Sequence, residues 1–450
     1  MKKILLTTFA SVALSISAFS QAVPSPFWAT LQNTNFPTTQ AGLIMMDVVD
    51  MNTVWGQGNY GANGRPSALF STTSNGGTTW TSGNILPDTN TYEISNIEGI
   101  DADTAWIAAW TKSTGNMGVL YKTNNAGVSW TNVTPVGTFT NASSFADFVA
   151  FVNPTVGICL GDPVGGSFEI HKTINGGATW SAIAGTNIPN PVSGEYGLTN
   201  SFTTYSNTIW YGTNKGRVYR SSNAGSTWTV SAAMTGATDV SRLAFTDANN
   251  GLCIAATGTV QNLWQTTNGG MTWTNLAQPI NCGFNDVAAI KGTSWFASVS
   301  NPSMSIAYST DNGVTWNSWG GSGIGYLTIG FSDNATGWAG TFSDAVSASV
   351  GGVYKFSGLP LGIAQSNLAP KAISTYPNPN NGTFQILLPS AKRGLSISVT
   401  DALGNVVYSE KTTTTSSENK TFNLQHLAKG IYFVDMTSDV EKYHQKIVIQ

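Results

Sequence analysis

The chain has 450 residues, of which 10% are charged, with 20 Lys and Arg against 23 Asp and Glu. This length exceeds the size at which a single hydrophobic core usually stops growing, so two or more folded units are expected. A net charge of −3 excludes recognition of nucleic acid or an anionic membrane by charge alone. The 48 glycines and 15 tryptophans predict short strands joined by tight turns, and therefore an all-β class.

The N-terminus has the pattern of a secretory signal peptide. Lys2 and Lys3 precede a mostly apolar stretch, Ile4–Ala18, and the small residues Ala18 and Ser20 flank Phe19. We predict a signal peptide over residues 1–20. The alternative is a membrane anchor, but the stretch is short beside the roughly 20 apolar residues of a bilayer span.

Three cysteines are spread along the middle of the chain, at Cys159, Cys253 and Cys282. They lack CxxC spacing and have no accompanying histidine cluster, so no metal site is predicted. Cys159 and Cys253 occupy matching points of repeats that are not neighbours. We therefore expect buried core thiols rather than a disulfide.

One eight-residue pattern occurs six times. The copies are Thr73–Trp80 (TSNGGTTW), Thr123–Trp130 (TNNAGVSW), Thr173–Trp180 (TINGGATW), Ser221–Trp228 (SSNAGSTW), Thr266–Trp273 (TTNGGMTW) and Ser309–Trp316 (STDNGVTW). Their tryptophans are separated by 50, 50, 48, 45 and 43 residues. A period of this length indicates a repeat architecture.

Three positions of each copy have a predicted structural role. A glycine supplies the left-handed backbone that a tight turn needs, at Gly77, Gly127, Gly177, Gly225, Gly270 and Gly313. An Asn or Asp side chain caps the turn by binding backbone amides, at Asn75, Asn125, Asn175, Asn223, Asn268 and Asp311. The tryptophan opens the next strand and packs between neighbouring sheets, at Trp80, Trp130, Trp180, Trp228, Trp273 and Trp316.

This pattern resembles the Asp-box (BNR) repeat, Ser/Thr-x-Asp-x-Gly-x-Thr-Trp. That repeat is found in sialidases, sortilin-type receptors, xyloglucanases and photosystem II assembly-factor-like propellers, and the resemblance implies a β-propeller. Asn replaces Asp in five of the six copies, which keeps the capping acceptor. We call the six segments the box turns.

A second, weaker sequence pattern precedes each box turn and gives the number of repeat units. It is an apolar strand, a polar turn and a strand bearing Trp or Gly, and it contains Trp55, Trp106, Gly157, Trp210, Gly251, Trp295 and Trp338. Seven units of about four strands predict a seven-bladed β-propeller over residues 21–358. The seventh unit has no box turn after it. Because the segment around Trp28 resembles the strand that follows each box turn, we expect it to close the ring.

After a predicted linker, residues 359–372, the chain has the alternating pattern of a small C-terminal β-sandwich over residues 373–450. It contains the run Tyr376-Pro377-Asn378-Pro379 with Gly382, a central DALGNVVY, and Gly430 and Tyr432 near the terminus. These motifs resemble the type A sorting domain of type IX secretion cargo. The resemblance implies passage through the periplasm, a type IX translocon and a sortase-like peptidase as partners, and release or attachment to surface lipopolysaccharide. The alternative is an ordinary adhesive β-sandwich.

Enzymatic chemistry finds little support in the propeller sequence. Sialidases use three arginines from different blades, whereas the predicted propeller has only Arg65, Arg217, Arg220 and Arg242. Hydrolysis of neutral glycans needs two carboxylates about 5 to 9.5 Å apart. The candidates, on segments expected to reach the mouth opposite the box turns, are Asp88, Glu93, Asp162, Glu195 and Glu98.

The same loops could instead form a binding surface. A shallow surface for sugar or peptide is predicted from Tyr60, Tyr92, Trp110, Tyr196, Asn214 and Asn262. Lys215, Arg217 and Arg220 form a short basic stripe that we expect to face solvent. The histidines, His171, His426 and His444, are far apart and indicate neither a catalytic triad nor a metal cluster.

We therefore predict a secreted or cell-surface propeller, acting as a monomer, with a non-catalytic binding or scaffold role towards an unknown glycan or protein. No cofactor, metal or nucleic-acid partner is expected. The alternative is a secreted glycoside hydrolase using two acidic residues at the propeller mouth. A third class, an assembly factor, is disfavoured by the export signals.

Overall fold

The structure is a computed structural model. It describes residues 28, 30–60, 65–85, 92–112, 118–141, 143–300, 306–320, 324–343, 351–356, 371–372, 374–388, 392–401, 406–414, 418–437 and 442–450. They form two compact units, one within Met1–Leu359 and one within Pro360–Gln450. The regular elements of these residues are β-strands and one 3-10 turn, Gly185–Asn187, so the predicted all-β class is confirmed. In the described ranges no helix is long and apolar enough to span a membrane.

The first unit is a seven-bladed β-propeller whose blades each contain four antiparallel strands. The strands of the first three blades, with the separate N-terminal strand, are β1 (Thr30–Asn33), β2 (Ala41–Val48), β3 (Val54–Tyr60), β4 (Arg65–Thr73), β5 (Thr81–Asn84), β6 (Tyr92–Gly99), β7 (Thr104–Thr111), β8 (Gly118–Asn124), β9 (Thr131–Asn132), β10 (Ala146–Asn153), β11 (Val156–Val164), β12 (Ser167–Thr173) and β13 (Ser181–Ala182). Blade 1 is β2–β5, blade 2 is β6–β9 and blade 3 is β10–β13.

The remaining propeller strands are β14 (Gly197–Tyr205), β15 (Thr208–Thr213), β16 (Val218–Ser221), β17 (Thr229–Val230), β18 (Val240–Phe245), β19 (Gly251–Thr257), β20 (Val260–Thr266), β21 (Thr274–Asn275), β22 (Asp286–Ala289), β23 (Phe296–Val299), β24 (Ile306–Ser309), β25 (Asn317–Gly320), β26 (Tyr326–Phe331), β27 (Gly337–Ser343) and β28 (Gly351–Phe356). Blades 4, 5 and 6 are β14–β17, β18–β21 and β22–β25. Blade 7 consists of β26, β27, β28 and, as its outer strand, β1.

The N-terminal segment closes the ring, as predicted. Strand β1 pairs antiparallel with β28, with Thr30 opposite Lys355. Trp28 is fully buried against Trp319, Phe331 and Phe356, with ring centroids 5.0 to 6.1 Å away. The N-terminal segment is therefore joined to blade 7 by strand pairing and by an aromatic core.

The buried side chain of Gln32 adds hydrogen bonds between blades 1 and 7 at this closure. The side-chain oxygen of Gln32 accepts hydrogen bonds from the indole N–H groups of Trp80 in blade 1 (3.1 Å) and Trp338 in blade 7 (3.2 Å). Its amide nitrogen donates to the carbonyl of Gly76 (3.3 Å). One side chain thus satisfies two buried donors and one acceptor at the seam.

The box turns share one hydrogen-bond pattern, shown here by the third copy. The Gly177 N–H donates to the Thr173 hydroxyl (2.9 Å), and the Thr179 N–H donates to the Asn175 side-chain oxygen (2.9 Å). Gly177 has φ +84. Each box turn also bonds the inner turn of its own blade, as Gly176 N–H does to the Thr155 carbonyl (2.9 Å). Box turns and inner turns therefore lie at one end of the propeller, which we call the box face, and the other connections lie at the loop face.

Cationic side chains on the third strand of a blade reach the next box turn. Lys122 lies 4.9 Å from the Trp106 ring centre and donates to the Gly176 carbonyl (3.3 Å). Arg220 lies 6.0 Å from the Trp210 ring centre. The expectation that the Lys215–Arg220 stripe faces solvent is therefore wrong for Arg220, because the neighbouring blade covers it, and for Arg217, which is buried.

The three cysteines are buried and unlinked. Burial raises the pKa of each thiol, to about 12 for Cys282. They pack as small apolar core residues, which agrees with the sequence interpretation.

The second unit is a β-sandwich. Its strands are β29 (Lys371–Ala372), β30 (Thr375–Tyr376), β31 (Thr383–Leu388), β32 (Lys392–Asp401), β33 (Val406–Thr414), β34 (Glu418–Asn423), β35 (Gly430–Thr437) and β36 (Lys442–Ile449). One sheet has the order β29-β36-β35-β32-β33 and the other β30-β31-β34. Its separate core includes Phe384, Val399, Phe422 and Ile447. The end of the predicted linker, Lys371–Ala372, is a strand of this unit.

Candidate functional site

Several of the acids predicted for hydrolysis make hydrogen bonds or ion pairs within the propeller. Glu195 is buried and pairs with Arg217 (Oε2 to Nη1, 2.9 Å). Its other oxygen accepts from the Thr213 hydroxyl (2.8 Å), and Oε2 also accepts from the Val192 N–H (2.8 Å). Glu195 thus ties the connection between blades 3 and 4 to blade 4.

Asp162 has a comparable structural contact. It lies on β11, is buried, and accepts a hydrogen bond from the Gly197 N–H of blade 4 (3.2 Å). A Cβ built on Gly197 would lie 2.2 Å from an Asp147 carboxylate oxygen. Two carboxylates of blade 3 therefore approach the backbone at Gly197, which requires a glycine there.

Of the other predicted acids, Asp88 lies outside the described residues. Glu93 lies at the loop-face end of β6 and is partly buried. Burial raises the pKa of its carboxyl group, against the lowering effect of the nearby Lys112 charge. Among the predicted acids that the structure describes, Glu93 is the one that is not fully buried.

Glu98 lies in the central channel and not at the loop-face mouth, which corrects the sequence expectation. Strand β6 begins at the loop face and ends with Gly99 at the box face, so Glu98 sits at the box-face end. Its side chain accepts from the Phe151 N–H of blade 3 (2.7 Å). In the same way Asp47, on β2 of blade 1, accepts from the Gly99 N–H of blade 2 (2.7 Å).

The same link between inner strands recurs on the other side of the ring. Asp286 of blade 6 accepts from the Ile329 N–H (3.0 Å) and the Thr328 hydroxyl (2.8 Å) of blade 7. Its other oxygen lies 3.3 Å from the Arg242 Nε of blade 5. Carboxylates on inner strands thus join successive blades around the channel.

Asp47 and Glu98 influence each other electrostatically. Burial raises the pKa of both carboxyl groups, and the neighbouring Asp47 charge raises that of Glu98 further. Backbone N–H bonds and the positive charge of Lys291, in the inner turn of blade 6, lower both pKa values in part. Glu98 has its pKa well above the usual range.

The channel around these groups encloses a cavity of about 200 Å³. Its lining combines charged Asp47, Glu98, Arg242, Asp286 and Lys291 with apolar Met46, Ile97, Phe202, Phe245 and Phe331. A concave lining of a few converging polar groups among apolar side chains is typical of a binding site. Sequence reasoning missed Asp47, Asp286 and Lys291; the available signal was a charged side chain within or beside an otherwise apolar inner strand.

The predicted aromatic binding surface is only partly exposed. Trp110 is buried and packs on Phe145, with ring centroids 4.8 Å apart. The side chain of Tyr60 lies outside the described set, and Tyr92 packs on Tyr121.

At the loop face, the Tyr196 N–H donates to the Asn214 side chain (2.8 Å). Asn262 also makes an internal contact, by donating to the Thr257 hydroxyl (3.0 Å). These two asparagines therefore shape loops.

His171 takes part in a local polar cluster. Glu169 accepts from the Ser144 hydroxyl (2.5 Å) and lies 3.3 Å from the His171 ring nitrogen. The other ring nitrogen is 3.4 Å from the Thr138 hydroxyl. The serine contacts the carboxylate and not the imidazole, so the geometry differs from a serine-histidine-acid triad.

The last structural element of interest is the motif that begins the second unit. Tyr376 ends β30, and Pro377, Asn378 and Pro379 form the turn that follows; all four residues are exposed. The sequence of residues 374–450 matches the family described as the secretion system C-terminal sorting domain. This unit is a type IX secretion sorting domain. The protein is therefore exported through the periplasm to the cell surface or the extracellular space, and its sorting domain is handled by the type IX secretion machinery.

Solved structures similar to this chain are β-propellers. YCF48 from Cyanidioschyzon merolae has a TM-score of 0.51 and 19% identity, covering 73% of this chain and 99% of its own. The GH74 xyloglucanase from Xanthomonas campestris has a TM-score of 0.47 and 11% identity, over 92% of this chain and 75% of its own. The Hadza microbial sialidase Hz136 has a TM-score of 0.39 and 13% identity, over 70% and 65%. At these identities the likeness shows the fold alone. No curated protein matches the sequence.

A pH dependence follows from the position of Glu98. A carboxyl group whose folded-state pKa is raised stabilises the fold below its unfolded pKa, and this contribution is lost as pH rises through the folded pKa. We expect Glu98→Gln, which keeps an acceptor for the Phe151 N–H, to become progressively more stable than the wild type as pH rises above about 4.5. Urea unfolding from pH 4 to 8 measures this.

Glu169→Gln is the control of opposite sign. Burial raises the pKa of Glu169, but hydrogen bonds from His171, Ser144 and Phe139 outweigh this effect and leave it lowered. Its stabilising contribution is present above the unfolded pKa and is lost as pH falls through the folded pKa. A stability difference between Glu98→Gln and the wild type that does not change with pH would contradict the assignment.

Proposed function

We propose that this protein is an exported, non-catalytic binding propeller that holds a glycan or protein ligand at the box-face end of its central channel. The observation that carries this proposal is the cavity there, where Asp47 and Glu98 from one side and Lys291 from the other lie among apolar inner-strand side chains. Export of the sorted chain brings this cavity to ligands outside the cell.

The engagement of the carboxylates supports binding over hydrolysis. Asp47 and Glu98 each accept a backbone N–H from the next blade, and Glu195 and Asp162 hold the contact between blades 3 and 4. A hydrolase must supply at least about 8 kcal/mol of transition-state stabilisation through groups placed against the substrate. Binding requires only surface complementarity and a few polar contacts.

The test combines turnover with binding on the purified full-length protein. The probes are sialosides, xyloglucan, other β-glucans and a random-sequence peptide library. We expect no turnover and saturable binding of at least one probe class. Lys291→Gln removes the blade 6 charge that lowers the pKa values of Asp47 and Glu98, so its Kd for that probe is expected to rise roughly tenfold.

Lys215→Gln is the matched control, because it makes the same change in a loop-face turn of blade 4. Its affinity should equal that of the wild type. Equal losses in both variants would contradict a site at the box face.

Turnover would identify the glycoside hydrolase alternative. The diagnostic result is activity that is lost in two acid variants while the fold is intact. The variants to compare are Asp47→Asn and Glu98→Gln in the channel, and the Ala variants of Asp88, Glu93, Asp162 and Glu195.

A further inference from the structure

The exposed motif of the sorting domain is fastened to the last strand of the chain by one side chain. The Asn378 amide nitrogen donates to the Lys446 carbonyl (2.9 Å), and its side-chain oxygen accepts from the Val448 N–H (2.9 Å). Both partners belong to β36, so Asn378 binds two successive backbone groups along the edge of that strand.

The flanking prolines explain why a side chain makes these bonds. Pro377 and Pro379 have no N–H, so the backbone on either side of Asn378 cannot form an ordinary ladder. A side-chain amide offers one acceptor and donors in a plane, and so replaces a strand residue. Backbone pairing resumes at Asn380, whose N–H donates to the Val448 carbonyl (2.9 Å) and whose carbonyl accepts from Gln450 N–H (2.8 Å).

The start of the same strand is covered by a different segment. Strand β29 pairs in parallel with β36, with Lys371 opposite Tyr443 and Ala372 opposite His444. The edge that faces away from β35 is thus covered near its start by β29 and near its end by the motif. An uncovered strand edge can pair with other chains, and here β29 and the motif cover that edge. The turn itself is therefore what this side of the sheet exposes to solvent.

The turn presents an aromatic ring to solvent. Tyr376 is 79% exposed, and Pro377, Asn378, Pro379 and Lys446 are exposed beside it. Aromatic side chains dominate protein recognition because they offer a large contact area at a small cost in conformational entropy. Two prolines and the two hydrogen bonds from Asn378 to β36, which we call the Asn378 clamp, limit the motion of the backbone that carries the ring. This reduces the conformational entropy lost on binding.

We propose that the Tyr376–Pro379 turn, together with Lys446, is the surface on which the type IX translocon docks, and that Asn378 is its positioning residue. The partner is a protein groove that receives the Tyr376 ring and pairs with the Lys446 charge. The match of this unit to the sorting family supplies the reason to expect such a partner.

Export of the full-length chain in a type IX-competent host tests the clamp. Asn378→Asp keeps the acceptor for the Val448 N–H but loses the donor to Lys446 and sets a carboxylate against that carbonyl. We expect the ratio of exported to periplasmic chain to fall by at least roughly tenfold. Asn381→Asp is the matched control, since exposed Asn381 accepts from the Thr383 N–H (3.2 Å) and Asp keeps that acceptor, so export should not change.

Tyr376→Ala tests the docking surface itself. It removes an exposed ring, so export should fall by a similar factor while thermal unfolding of the sorting domain and the hydrogen-exchange protection of the Val448 amide stay at wild-type values. Leu387→Ala, also at an exposed position (50%), should be exported normally. Wild-type export of Tyr376→Ala or Asn378→Asp, or a loss of export seen only where the domain has unfolded, overturns the proposal.

Discussion

Replacing Trp28 with Ala is expected to destabilise the propeller by about 3–5 kcal/mol, the range for truncating a fully buried aromatic residue. Trp28 is completely buried and packs on Trp319, Phe331 and Phe356. It also anchors β1, the N-terminal strand that pairs with β28 as the outer strand of blade 7. Urea unfolding followed by tryptophan fluorescence and circular dichroism measures the loss.

Leu31→Ala, in β1 itself, is the control. Leu31 is 44% exposed, so its truncation should change the free energy of unfolding by no more than about 0.5 kcal/mol. Deleting residues 21–36 removes β1 altogether and leaves β28 as a bare edge, so we expect a lower melting temperature and aggregation on size-exclusion chromatography. A truncated protein that melts like the full-length chain would show that β1 does not close the ring.

Replacing Gly177 with Val is expected to lower the free energy of unfolding by about 2–6 kcal/mol, from two separate effects. The residue has φ +84, and a β-branched side chain there is strained by about 1–3 kcal/mol. The new Cβ would also lie 2.2 Å from the Trp106 ring of the preceding blade. Forcing that ring aside adds about 1–3 kcal/mol of overpacking.

Two controls separate these effects. Gly137 has φ +83, and a Cβ built on it meets nothing within 4 Å, so Gly137→Val should show the backbone strain alone. Asn175→Asp should be silent to within about 0.5 kcal/mol. Asp311 already occupies this position in the sixth box turn, where it accepts from the Thr315 N–H (2.9 Å) and hydroxyl (2.6 Å). Equal losses at Gly177 and Gly137 would show that contact with Trp106 is unimportant.

The architecture could be predicted because six of the seven blades carry the same box turn in their own sequence. A glycine with positive φ, a capping Asn or Asp and a Trp recur in each box turn, and such turn chemistry depends on a few neighbouring residues. Closure was also predictable, since the segment at Trp28 matches the strand that blade 7 lacks. The sorting domain was recognisable for a similar reason, because its motifs are short and contiguous.

The candidate site was not predictable in the same way. Asp47, Glu98 and Lys291 come from blades 1, 2 and 6, and they meet only because the inner strands converge on the axis of the closed ring. The spacing of these residues along the sequence does not indicate that they converge. The sequence instead favoured loop acids such as Glu195, which the fold uses to bind Arg217.

Whether a charged strand residue points to solvent or into the fold was also decided only by the tertiary structure. Alternation along a strand predicted an exposed stripe at Lys215, Arg217 and Arg220, but Arg217 is buried and forms an ion pair with Glu195. In the sorting domain the sequence determined which residues form the motif. Its clamp on β36 depends on a partner strand about 70 residues later in the chain. Local chemistry thus fixed the blades, the turns and the export route, while packing between distant strands decided which charges meet in the channel and which surface the motif presents.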